Sequence, residues 1–227
     1  MPNPRLQSIL ASKVAEYVKE ANSTRTTAID ASRGYTELML EEIWHLDRYT
    51  VEDSIVDGGQ EKGMDALFED ELESDNVLYV VQSLYRVERP DRGFEETKII
   101  KLITGVSEYI LNDYPIDNLN PRLKAKIPQI RASLAANKIQ RVCLVALTNG
   151  QPPSESGVRE LESFAKVNPE VFYQVLSESD LQWVFQPDSA AVPQTVQVST
   201  VVDPGAGTRP YLSLDDINTA QGKHPSP

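Results

Sequence analysis

"LYVVQSLYR", residues 78–86, is the stretch whose reading decides the fold. Its apolar run, Leu78 to Val81, reads as a buried central strand. Gln82 interrupts that run. A Gln there is buried and must find hydrogen-bond partners, because an unpaired buried amide costs free energy. A core network, a metal or a substrate would each supply them. The preceding stretch, "DGGQEKGMDALFEDELESDN" (residues 57–76), holds a Gly-rich turn, a short alternating strand "MDALFED" and an acidic turn "ESDN". The two strands read as a β-hairpin with an acidic loop. Period-two alternation then puts Asp65, Leu67 and Glu69 on one face of the first strand, and Gln82, Leu84 and Arg86 on one face of the second.

Upstream of the hairpin, "PRLQSILASKVAEYVKEAN" (residues 4–22) has helical apolar spacing and good helix formers. A polar link follows, and "YTELMLEEIWHL" (residues 35–46) reads as a second helix with Leu38, Leu40, Ile43, Trp44 and Leu46 on its buried side. "YTVEDSIVDGG" (residues 49–59) suggests a short strand running into the Gly-rich turn. Downstream, "FEETKIIKLITGVSEYILNDY" (residues 94–114) carries a helical apolar stripe. "NPRLKAKIPQIRASLAANK" (residues 120–138) is a further helical stretch, kinked or interrupted at Pro128. "IQRVCLVALTNG" (residues 139–150) is a continuously apolar strand. A helix capped by Ser154, a strand "VFYQVLS" and a short helix "ESDLQWVF" complete the unit. An antiparallel meander followed by a strand-helix-strand unit predicts an α/β fold, a mixed sheet flanked by helices. Residues 1–185 form the expected domain. Residues 186–227 read as a linker and tail, with strand-like alternation in "TVQVSTVV" and the possibility of a truncated downstream domain.

Composition bounds the function classes. The 227 residues are 40% hydrophobic and 25% charged, ordinary for a globular chain. There is no apolar run of about 18 residues and no apolar leader, so no membrane span is expected and a cytoplasmic location is. One Cys, Cys143, excludes a disulfide framework, and two His leave no His/Cys zinc set. The net charge of −12 argues against non-specific nucleic-acid binding. Charge is uneven, however. Between Leu119 and Ser154 there is no acid, while Arg122, Lys124, Lys126, Arg131, Lys138 and Arg141 fall inside. These cations are either a solvated helix face or a strip that contacts backbone phosphates.

Three side chains can converge on chemistry. Glu37 lies on the helix before the meander, Asp65 opens the second strand, and Gln82 sits in the third. Oxygen ligands at the ends of adjacent strands suit Mg²⁺ (or Mn²⁺), which takes one or two carboxylates and keeps several waters. Such an ion activates water and stabilises charge on a phosphodiester. Each residue also has a plainer reading: a solvated Glu37, an Asp65 that closes a turn, a Gln82 in a core network. Asp57 and Glu61 read as residues that solvate the turn.

"VDGGQEKGMDALFED" followed by "LYVVQSLYR" resembles the nuclease-like N-terminal region of abortive-infection phage-resistance (AIPR) proteins. These belong to the PD-(D/E)XK, or restriction-endonuclease-like, superfamily. The family pattern matches at Asp57-Gly58-Gly59, at Gly63-Met64-Asp65 and at Gln82-Ser83, with Tyr85 in register. The superfamily's helix acid falls on Glu37. The resemblance covers Glu37 to Tyr85 by motif and extends to about Phe185 by topology alone. It implies a restriction-endonuclease-like three-layer fold and a prokaryotic anti-phage defence protein. It further implies Mg²⁺-dependent phosphodiester hydrolysis, of DNA before RNA, with Glu37, Asp65 and Gln82 as metal ligands. Arg122, Lys124, Lys126, Arg131 and Lys138 would then hold nucleic acid. A second copy of the chain or a defence-system protein is a further partner it allows.

Leu84 departs from the pattern, which has a Lys there. That ammonium helps to position the attacking water and stabilises the phosphorane, and a Leu does neither. The Lys is lost naturally, replaced on purpose, or supplied from elsewhere, with Lys62, Lys98, Lys101 and Arg86 as candidates. The alternative function is a non-catalytic nuclease-like module that binds nucleic acid or a protein partner.

Overall fold

The computed structural model describes residues 2–72 and 75–186. They belong to one compact unit. The reading of a strand in "TVQVSTVV", and of the tail as a whole, lies outside the described residues. Among those described, no helix is long and apolar enough to cross a membrane.

The protein is α/β, with a four-stranded mixed sheet between two layers of helices. Seven α-helices and four strands are described: α1 Pro4–Thr24, α2 Ala31–Trp44, α3 Arg48–Ser54, β1 Ala66–Leu72, β2 Asp75–Leu84, α4 Glu96–Gly105, α5 Pro121–Ala135, β3 Arg141–Thr148, α6 Glu155–Val167, β4 Val171–Leu176 and α7 Glu178–Phe185. The sheet order is β1-β2-β3-β4. β1 pairs antiparallel with β2, as the hairpin reading expects, while β2–β3 and β3–β4 are parallel. The parallel pairs require crossovers, which the intervening helices supply.

Local chemistry sets the helix starts. Asn3 accepts from the amides of Arg5 and Leu6, with Pro4 at the first helical position of α1. Asp30 caps α2, Ser154 caps α6, and Ser177 with Asp180 forms a capping box on α7. Residues 49–54 differ from the strand expected there. They are the helix α3, because the side chain of Asp47 accepts from the amides of Tyr49 and Thr50 and nucleates a turn. Only Ile55 keeps strand character, as an isolated bridge to Ala66. Helix α5 runs through Pro128 without a break in its assignment. After Gly105 the backbone of α4 continues as π-helix over Val106–Leu111, so the single helix read from 94 to 114 changes its hydrogen-bonding period midway.

The two sheet faces have different partners. On one face, Leu67, Leu78, Val80, Val142, Leu144 and Ala146 share a core with the buried stripes of α4 and α5. On the other, Trp44 of α2 packs edge-on to Phe68 and Tyr79, which stack at 4.9 Å. Cys143 is a buried free thiol, as the sequence suggests, and burial pushes its pKa well up. β2 and β3 are covered on both sides, which explains their near-continuous apolar runs.

Candidate functional site

Asp65 and Gln82 meet. The β1–β2 register pairs Ala66 with Val81, and Asp65 extends it by one residue, donating its amide to the carbonyl of Val81 at 2.7 Å. Gln82 is 2% exposed, and its Nε2 donates to Oδ2 of Asp65 at 2.5 Å. The same oxygen accepts the amide of Ser83 at 2.7 Å and the Ser83 hydroxyl at 3.3 Å. Ser83 Oγ also shares a hydrogen bond with Thr36 of α2 at 2.6 Å. The buried Gln therefore has its partners, and the chief one is a carboxylate. Oδ1 of Asp65 carries no hydrogen bond from a described residue.

The pKa of Asp65 is pushed up to about 6. Burial is the largest cause, and the charges of Asp57 and Glu61 add to it. The Ser83 amide and the charge of Lys98 work against the rise. Asp57 and Glu61 therefore act on the carboxylate beyond solvating their turn. Of Lys62, Lys98, Lys101 and Arg86, Lys98 on α4 is the one whose charge is among the leading influences on Asp65. Lys101 pairs with Glu61 at 3.4 Å, and Arg86 pairs with Glu95 at 2.7 Å. Leu84 packs against the apolar core, as an ordinary strand residue would.

Glycine is what brings α4 this close. Gly63 has φ +79°, and a Cβ there would stand 2.7 Å from the Leu102 amide nitrogen and 2.8 Å from the Lys101 carbonyl carbon. A Cβ on Gly105 would stand 2.4 Å from the carbonyl oxygen of Lys62. The Gly-rich turn and α4 thus touch backbone to backbone, and only glycines allow it.

Glu37 is elsewhere. It is fully buried, and its carboxylate is held by two arginines. Arg33 Nε donates to Oε1 at 2.8 Å, while Arg25 Nη1 donates to Oε1 at 2.9 Å and lies 2.8 Å from Oε2. Arg25 also contacts Glu52 of α3 at 2.7 Å. Through Arg25, Glu37 ties the α1–α2 link to α3, and no hydrogen bond joins its carboxylate to Asp65 or Gln82 among the described residues. Among the described residues, no group of three or more His, Cys, Asp and Glu side chains is placed to hold a metal ion. The pairing of Glu37 was hidden in the sequence, although Arg33 at i−4 was a visible partner.

The expected phosphate strip is mostly occupied. Arg122 donates to the Ile55 carbonyl at 2.8 Å, Lys126 pairs with Asp53 at 2.5 Å, and Arg131 binds Asp113 and the carbonyls of Tyr109 and Tyr114. Lys124 and Lys138 are exposed, and no ion pair involves them among the described residues. Of the five cations expected to hold nucleic acid, only Lys124 on α5 and Lys138 beyond its end are without an ion pair among the described residues.

Compared with protein-family models, curated proteins and solved structures, the chain matches none.

Proposed function

We propose that this chain is a metal-dependent nuclease domain of restriction-endonuclease-like architecture, acting on DNA before RNA in anti-phage defence. The observation that supports it most is the Asp65–Gln82–Ser83 cluster at the margin of adjacent strands, with the charge of Lys98 acting on it where Leu84 supplies none. The oxygens suit Mg²⁺ or Mn²⁺: Oδ1 of Asp65 is unengaged, and the negative field of Asp57 and Glu61 favours a cation. Asp65 and the Gln82 amide oxygen would hold the ion, with waters completing its shell; Glu37, clamped by Arg25 and Arg33, does not fit that role. When bound, the ion supplies charge stabilisation and an activated water. The chain's own part is to hold the Asp65 carboxylate between Gln82 and Ser83. Lys98 places a positive charge beside the reacting phosphate, the role that Leu84 vacates.

The test is a plasmid and oligonucleotide cleavage assay with Mg²⁺ and with Mn²⁺, paired with thermal melting in the same buffers. Wild type should cut and should melt higher with the ion. Asp65→Ala should lose both effects, and Lys98→Ala should lose cutting while keeping the shift in melting. Cleavage by Asp65→Ala would sink the assignment.

A second reading rests on Leu84 in the core and on the immobilised Glu37: a nuclease-like module that binds nucleic acid or a protein partner without cutting. A metal shift without cleavage in the wild type, with cleavage gained by Leu84→Lys, would select it.

A further inference from the structure

Arg86 lies two residues past the end of β2, and its backbone is fixed from both sides by one buried side chain. Asn149 Oδ1 accepts the Arg86 amide at 2.8 Å, and Asn149 Nδ2 donates to the Arg86 carbonyl at 2.8 Å. Asn149 Nδ2 is anchored in turn by Gln7 at 2.9 Å. The guanidinium so positioned is half used. Its side chain is 17% exposed, Nη2 donates to Glu95 at 2.7 Å, and Nε is buried with no hydrogen-bond partner among the described residues. A buried donor without an acceptor is costly, and native structures keep few of them. A guanidinium presents Nε and Nη2 as a fork whose natural complement is a bidentate oxyanion, carboxylate or phosphate. Glu95 satisfies one prong only. It is itself loosely held: its side chain is 49% exposed and, although it stands at the cap of α4, it makes no capping hydrogen bond. Three residues on, the same helix carries Lys98.

We propose that Arg86 is a clamp for a backbone phosphate of the nucleic acid, with Glu95 as the resting occupant that the phosphate displaces. This rests on the nuclease reading of the neighbouring site. The exchange breaks one N–H···O bond to Glu95 and forms two to phosphate oxygens, leaving Glu95 to water. Arg86 is then a substrate-positioning residue, while the Asp65 cluster does the chemistry. Glu95 is a built-in competitor that favours long phosphodiester chains over isolated small anions, since only a ligand held at further points displaces it well.

The test is binding of a fluorescein-labelled DNA duplex at low salt in EDTA, followed by anisotropy, so that no cleavage is needed. Arg86→Ala should weaken binding about tenfold and flatten the plot of log affinity against log salt by about one phosphate contact. Arg86→Lys should restore that slope but only part of the affinity, because it lacks the fork. Glu95→Gln should tighten binding about threefold by removing the competitor. It also serves where Arg86→Ala fails to fold, since Glu95 caps nothing. Wild-type binding that neither Arg86→Ala nor Glu95→Gln alters overturns this inference and leaves the nuclease reading standing. No wild-type binding to the duplex overturns both.

Discussion

Two carboxylates, Glu37 and Asp65, are both withdrawn from solvent, and their surroundings are opposite. Glu37 sits between Arg25 and Arg33, with its charge balanced inside the fold. Asp65 accepts from an amide side chain, a main-chain amide and a hydroxyl, while Asp57 and Glu61 add charge of its own sign. One carboxylate is a structural tie. The other is held at a cost that the fold does not recover, which is the condition expected where a ligand is to supply the missing charge. Glu37 is fully buried and Asp65 partly so, and the sign of the neighbouring charge divides them further.

The largest effect should come from Glu37. Glu37→Gln leaves two buried guanidinium groups facing a neutral amide. It should lower stability by about 3–5 kcal/mol, read from urea denaturation. A loss below about 1 kcal/mol would mean that the pair is not the tie described, and the contrast would collapse. Next is the glycine contact. Gly63→Ala forces a positive φ on a side chain and drives its Cβ into the backbone of α4. It should cost about 2–4 kcal/mol and should loosen the turn that carries Asp57 and Glu61. Hydrogen exchange at residues 57–65 is the measurement, and unchanged protection there would refute the backbone contact.

Asp65 should respond in the other direction. Its raised pKa means that the folded state holds the proton more tightly than the unfolded chain, whose ordinary value is 3.8. Stability from this group therefore increases as pH falls from about 6 towards 3.8, and the penalty is full above about 6. Asp65→Asn should thus stabilise the protein at pH 8, by at most about 3 kcal/mol. The gain should fade as pH drops below about 6. Melting temperatures of the two proteins from pH 4 to 8 decide it; a variant less stable than wild type at pH 8 contradicts the proposed imbalance.

Much of this architecture was legible in the sequence. The hairpin, the apolar strand at residues 141–148 and the cap at Ser154 follow from alternation, apolar runs and turn chemistry. The Asp65–Gln82 meeting followed from the same period-two argument. Three features were not legible, for separate reasons. Helix α3 hides because Val51, Ile55 and Val56 suit a strand, and only the Asp47 cap turns the segment helical. Glu37 looked like a free helix acid because one of its partners, Arg25, lies twelve residues away beyond the end of α1. The α5 cations looked available because their partners come from remote segments, Asp53, Ile55 and Asp113 among them. Local pattern shows which residues share an element, whereas charge pairing across elements is a tertiary fact.

The smallest effect is the most discriminating, because it asks which cation belongs to Asp65. The charge of Lys98 lowers the Asp65 pKa against the larger effect of burial. Replacing it by Met keeps the aliphatic stem and removes the charge, so the Asp65 pKa should rise by roughly half a unit, as for a partly solvated cation nearby. Lys101→Met should act differently. Lys101 already neutralises Glu61, so its loss reaches Asp65 only through that second carboxylate and should move the pKa less. Carboxyl ¹³C shifts of Asp65 followed through a pH titration resolve the two variants. A larger rise with Lys101→Met than with Lys98→Met would transfer the role of Asp65's cationic neighbour from the first turn of α4 to its second. The contrast between a balanced and an unbalanced carboxylate would survive, with a different residue completing the unbalanced one.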